Sequence, residues 1–153
     1  MALVKYGEGD WFAVPLLDGG FAIGLVARSN PKGVLLGYFF GPKRMSVPTL
    51  NETKSLKAED AVLVGRVGYL GILHGKWPLL GHLDDWDRSE WPIPIFARYE
   101  QLTGRSFHTY YDDDDPNRLL REVQVPPGDA ELAPNDGLMG AGFAEGVLTR
   151  LLD

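Results

Sequence analysis

The side chains best suited to chemistry in this sequence are carboxylates, and they come in two groups. Asp84, Asp85, Asp87 and Glu90 share a stretch with Trp77, Trp86 and Trp91, three of the four tryptophans. A carboxylate pair is what glycosidases use, but spacing along a chain fixes neither the separation of the two groups nor the raised pKa the acid requires. The second group, Asp112, Asp113, Asp114 and Asp115, follows two tyrosines. As a calcium loop it would need alternating oxygen ligands, a glycine at the turn and a bidentate acid at the last ligand position, and none is in place. Four adjacent like charges are expected as a solvated turn or a partner contact. His74, His82 and His108 lack the i, i+4 spacing of a zinc-binding helix. Ser46, Ser89 and Ser106 lack the elbow of a serine hydrolase. Glycines 65, 68 and 71 recur every third residue without the Lys-Ser/Thr that ends a phosphate loop. No catalytic residue, metal or cofactor is assigned from these patterns.

The tryptophan-rich stretch is expected to be ordered. An indole has a large apolar body and one N–H donor, so clustered indoles mean a core corner or an aromatic contact surface. In the first case Asp87 or Ser89 bonds local main-chain N–H groups and Arg88 pairs with an acid or stacks on Trp86 or Trp91. In the second, Trp77, Trp86 and Trp91 line a groove for a small molecule or single-stranded nucleic acid. A hydrolase built on Asp87 and Glu90 is a third reading, with nothing further to support it.

Charge separates these readings. Residues 1–80 carry a net charge of +3 and residues 81–153 a net charge of −9. A field of that sign opposes phosphate binding and favours a basic partner, chiefly by raising the rate of encounter. The 153 residues are 44% hydrophobic and include no cysteine, which fits one β-rich domain of residues 1–153 in a reducing compartment. The N-terminal residues resemble no secretory leader and no apolar run has membrane-spanning length, so a cytoplasmic protein that does not enter a membrane is expected.

The elements that would position these side chains read mainly as strands. Residues 9–17 and 21–28, joined by Asp18-Gly19-Gly20, predict a hairpin. A second turn at 29–33 leads to Val34–Phe40, apolar enough to be covered on both faces. Gly24 and Gly37 predict bulges, bends or close backbone approach. Residues 43–57 read as a surface connection. Further strands are expected at 61–66, 77–83, 93–99, 106–111 and 119–125, with Pro78, Pro92 and Pro94 directing theirs to sheet edges or strand starts. Leu138, Phe143, Val147, Leu148, Leu151 and Leu152 predict the apolar face of a helix over 141–152, initiated by Asn135 or Asp136. The fold class is mainly β (α+β): a curled antiparallel sheet or small barrel with a C-terminal helix packed on it.

The succession Gly-Asp-Trp-Phe-Ala-Val-Pro-Leu (9–16), Phe-Ala-Ile-Gly (21–24), Gly-Tyr-Phe-Phe-Gly-Pro (37–42), Gly-Lys-Trp-Pro-Leu-Leu-Gly (75–81) and Trp-Asp-Arg-Ser-Glu-Trp-Pro (86–92) resembles the immunity protein 26 family of bacterial polymorphic toxin systems. The likeness runs from Gly9 into the C-terminal helix. It implies a mainly β cytoplasmic protein that neutralises a cognate toxin by binding it, with no catalytic residue. The residues that carry the likeness, Trp77, Pro78, Trp86, Arg88, Ser89, Glu90, Trp91 and Pro92, are expected to be architectural. A surface specific for one toxin is expected among residues that differ between members: Asp84, Asp85 and the turn Asp112–Asp115. The partner implied is a toxin domain, expected to be basic.

Overall fold

A computed structural model describes residues 3–153 and shows a mainly β protein built from two antiparallel sheets. The first sheet contains β1 (Asp10–Pro15), β2 (Phe21–Ser29), β3 (Val34–Arg44), β4 (Leu63–Gly68) and β5 (Leu79–His82), in the order β4-β3-β2-β1-β5. The second is the meander β6 (Phe96–Glu100), β7 (Arg105–Asp112) and β8 (Asp115–Val125). Among the described residues three α-helices, α1 (Leu70–Leu73), α2 (Pro127–Ala130) and α3 (Ala141–Leu151), and three single 3-10 turns complete it. The first sheet is open and curled, with β4 and β5 as its edges, so the barrel alternative is set aside.

Strand alternation divides the apolar residues of this sheet between its faces. Phe12, Val14, Ala22, Val26, Leu35 and Phe39 point to one side, where α1, Trp77 and α3 cover them. Trp11, Ile23, Leu25, Ala27, Leu36, Tyr38 and Phe40 point to the other, against Trp91 and Phe96. Burial on both faces explains the unbroken apolar runs of β2 and β3. Gly24 and Gly37 serve close approach: a Cβ at either would strike the ring of Phe12 or Phe39, which stand 5.9 Å apart, edge to face.

Most boundaries follow the sequence, and the departures have physical causes. The strand expected from Trp77 begins at Leu79, because Trp77 N–H closes a turn on Gly71 O (2.8 Å). The strand expected from Ile93 begins at Phe96, beyond Pro92 and Pro94. β8 starts earlier than expected, at Asp115, because the acidic run is the tight turn that joins it to β7.

The C-terminal helix is in place, and Leu148 and Leu152 face the core as expected, but the rest of its buried face differs. Leu138, Phe143 and Leu151 are 51%, 64% and 50% exposed, whereas Ala144, Glu145 and Leu148 are buried. Glu145 turns inward because its carboxylate accepts the indole N–H of Trp77 at 2.8 Å, and the small Ala144 lets the helix approach. Neither Asn135 nor Asp136 caps it; Gly140 does. Residues 134–139 instead run extended between the sheets. Ala97 N–H donates to Pro134 O (2.8 Å) and Asp136 N–H to Ala97 O (2.9 Å) on β6, while Met139 N–H donates to Arg66 O and Gly68 N–H to Met139 O (both 2.9 Å) on β4.

Arg66 holds this staple. It is 8% exposed; its Nε and Nη2 donate to Asp136 O (2.9 and 2.6 Å), and its guanidinium lies 4.4 Å from the centre of the Tyr111 ring. Tyr111 in turn donates its hydroxyl to the Asp136 carboxylate (3.0 Å). Burial, more than any neighbouring charge, pushes the Tyr111 hydroxyl above its ordinary pKa.

Candidate functional site

The stretch from Trp77 to Pro92 is a connected set of packing and turn devices. Trp77 is fully buried and lies parallel to Phe12 with centroids 5.6 Å apart; Pro78 accepts Ala13 N–H at 2.9 Å, which anchors β5 beside β1. Asp87 caps the turn at 88–90, its carboxylate accepting Ser89 N–H (3.0 Å) and Ser89 Oγ–H (2.7 Å). The Ser89 hydroxyl and then its main-chain N–H hold that carboxyl below the usual range. Trp91 is 7% exposed and meets Trp11, Tyr38 and Phe40 edge to face at 5.7, 5.3 and 6.0 Å. Pro92 O accepts the Tyr38 hydroxyl.

Because Trp77 and Trp91 are buried, the three indoles do not line a groove. Trp86 alone of them stays partly exposed, over Gly9, where a Cβ would strike its ring and that of His82. His82 Nδ1 lies 3.1 Å from Asp10 Oδ1 across the β1–β5 pair, a contact nothing in the local sequence signals.

Arg88, in the loop that carries the first acidic group, ties that loop to the second. Arg88 reaches Glu8 (2.8 Å), Asp114 (2.9 Å) and Asp113 (3.6 Å), and the bond to Asp114 above all raises its pKa. Arg28, only 2% exposed, donates Nε and Nη2 to one oxygen of Asp113 (3.1 and 3.0 Å) and Nη1 to the carbonyls of Ala27 and Trp91 (2.6 and 3.1 Å). Asp115 accepts Asn30 Nδ2–H and Asn117 N–H, both at 2.9 Å, and these bonds, Asn30 first, lower its pKa. Asp112 accepts Asp114 N–H (2.8 Å) and stands 3.5 Å from Arg118.

The turn at 112–115 is therefore not a plain run of solvated charges: it clamps the β7–β8 hairpin onto β2 and onto the loop at Arg88. Sequence patterning could not show this, since Arg28 sits at the end of an apolar strand with nothing to announce its partner. Asp84, Asp85 and Glu90 differ from that turn. They are exposed and have no ion-pair partner among the described residues.

A second feature was hidden. Val62 just before β4, Leu63 and Val64 on β4, Leu138 and Met139 on the staple, and Phe143 and Val147 on α3 enclose an apolar groove of about 750 Å³. Its helix residues are those read from periodicity as core. Among the described residues no cluster of three His, Cys, Asp or Glu side chains could hold a metal ion, and no helix is long and apolar enough to cross a membrane.

The site thus consists of carboxylates paired with arginines, buried indoles and an open groove on a mainly β domain. Comparison of the sequence with family profiles gives the class a name: immunity protein 26 matches residues 7–108, and the chain belongs to that family. The match ends in β7, short of the C-terminal helix to which the likeness was expected to extend. No curated protein and no solved structure matches the chain. Family membership gives the protein an immunity role and implies a cognate toxin as its partner.

Proposed function

We propose that the protein neutralises its toxin stoichiometrically in the cytoplasm, by setting an acidic surface over a basic toxin domain and occluding its active site without catalysis of its own. The observation that supports this most is the pair of unneutralised acids Asp84 and Asp85 beside the partly exposed Trp86. The turn Asp112–Asp115 adds to that charge through its link to the loop at Arg88, although Asp113 and Asp114 spend much of their charge on Arg28 and Arg88. Exposed acids raise the rate of encounter; apolar and aromatic contacts supply most of the affinity.

The test begins with the protein as bait in a lysate of its own source, followed by mass spectrometry, calorimetry and a growth assay with whatever binds. One near-stoichiometric basic protein whose toxicity the bait abolishes is the expected result. Asp84→Lys with Asp85→Lys should then slow association and flatten its salt dependence at unchanged thermal stability. Association kinetics indifferent to both substitutions would remove these acids from the interface, and a captured partner without toxicity would defeat the immunity mechanism.

A further inference from the structure

We infer that the outer edge of β4 is a strand-addition site, and that its occupant, on the immunity reading above, is an extended apolar segment of the toxin flanked by a basic residue. Met139 pairs with this edge only at Val67, through its bonds to Arg66 O and Gly68 N–H. The main chain at residues 66 and 68 thus faces outward, and strand alternation turns that of Val64 the same way. The staple then leaves the edge for Ala97 on β6, so the N–H and C=O of Val64 look into the groove with no main-chain partner among the described residues. Exposed strand edges of this kind are filled by another strand, whose backbone gives affinity and whose alternate side chains enter apolar pockets.

The walls fit such a segment. Val62, Leu138 and Phe143 are 42%, 51% and 64% exposed and converge with Met139 and Val147 on the open edge. No charged side chain lines the groove, but Glu59 and Asp60, both exposed, lie shortly before Val62 and outnumber the exposed Lys57 of the same segment, which leaves net negative charge at that end. A lysine or arginine flanking the apolar segment meets that charge, and the toxin expected here is basic. A second copy fits less well: the open edge is a few residues long, far below the roughly 800 Å² per partner of a stable interface. The site lies at the opposite sheet edge from β5 and its acids, about 19 Å away at four strand spacings. About six extended residues span that distance, so a tail or loop of a toxin seated on the acidic face can reach it.

The test uses a displayed library of linear twelve-residue peptides, selected on the full chain and counter-selected on Phe143→Asp, an exposed substitution that spares the core. Selected peptides should alternate apolar residues beside a terminal Lys or Arg. Their affinity should fall about tenfold or more in Phe143→Asp and in Val64→Pro, which removes the groove-facing N–H, and less in Asp60→Lys. Thermal denaturation of each variant reports whether it remains folded. Absence of enriched peptides, or binding indifferent to both Phe143→Asp and Val64→Pro, overturns the site. A dimer in sedimentation that Phe143→Asp dissociates also overturns it, in favour of a second copy. The growth assay separates the two proposals: full protection by Phe143→Asp refutes toxin as the occupant and leaves immunity standing, whereas a wild-type chain that protects against no toxin refutes immunity while the peptide result still decides the strand-addition site.

Discussion

Replacing Asp113 by alanine tests whether the acidic turn is an anchor or an ornament. The Asp113 side chain is 59% exposed, but its partner Arg28 is 3% exposed and loses the one carboxylate it meets among the described residues, keeping main-chain carbonyls. Breaking a buried ion pair by deleting one member costs about 3–5 kcal/mol, and breaking an exposed pair about 1 kcal/mol or less. A pair buried at one end lies between, so Asp113→Ala should cost about 2 kcal/mol. Asp114 is 82% exposed and bonds the partly exposed Arg88, so Asp114→Ala should cost about 0.5 kcal/mol or less. Asp113→Asn, which keeps an acceptor without the charge, should fall between them.

Urea unfolding followed by tryptophan fluorescence measures all three, with a constant slope confirming that stability alone has changed. In a scanning experiment the Asp113→Ala loss corresponds to roughly 4–8 °C in Tm. Equal midpoints for Asp113→Ala and Asp114→Ala would refute the assignment of Arg28 as a buried cation held by this turn. The same cost is why the association test uses Asp84 and Asp85 and leaves Asp113, which holds the buried Arg28, in place.

Trp91→Ala should cost about 3–5 kcal/mol in chemical denaturation, since the indole fills a corner between Trp11, Tyr38 and Phe40; a negligible shift would place it outside the core. Glu145→Leu should cost about 1–3 kcal/mol by leaving the buried Trp77 N–H without an acceptor, and a shifted tryptophan emission should accompany it; unchanged emission and stability would show that the pair contributes nothing. The Asp115 carboxyl is held below its ordinary 3.8 by Asn30 and Asn117. A depressed carboxylate stabilises above its unfolded pKa and loses that contribution as pH falls through the folded one. Stability measured downward from neutrality should therefore decline below about pH 4, less steeply in Asp115→Asn, and parallel curves for the two proteins would discount this contact.

The opening three strands were legible because each turn announces itself through Gly, Asn, Asp or Pro between apolar runs, and β2 and β3 are apolar enough to be covered twice. Asp87 and Ser89 were legible as a local turn device, because their partners lie within two residues. What escaped depends on contacts far apart in the chain. Arg28 meets a residue 85 positions away, Arg66 one 70 away and Trp77 one 68 away. Glu145 shows the cost of reading polarity as exposure: a carboxylate needed by a buried indole turned the helix, and Phe143, Val147 and Leu138 came out at a groove instead of the core. The acids at 84, 85 and 90 were visible as charge, but only the fold shows that they stay unpaired while Asp113 and Asp114 do not.

The closing of the core by residues 139–152 bears on how the chain is made. All five strands of the first sheet lie within the first 82 residues, so synthesis completes them long before α3 exists. Until Met139, Ala144 and Leu148 emerge, the face carrying Phe12, Phe39 and Trp77 lacks part of its cover, and the β4 edge lacks even its bridge to Met139. Nascent sheets with an uncovered apolar face and open edges are prone to intermolecular pairing. Translation that stalls or stops just after the family-matched segment would leave the chain in that state, so the residues beyond the match that wall the finished groove also decide whether the sheet is covered.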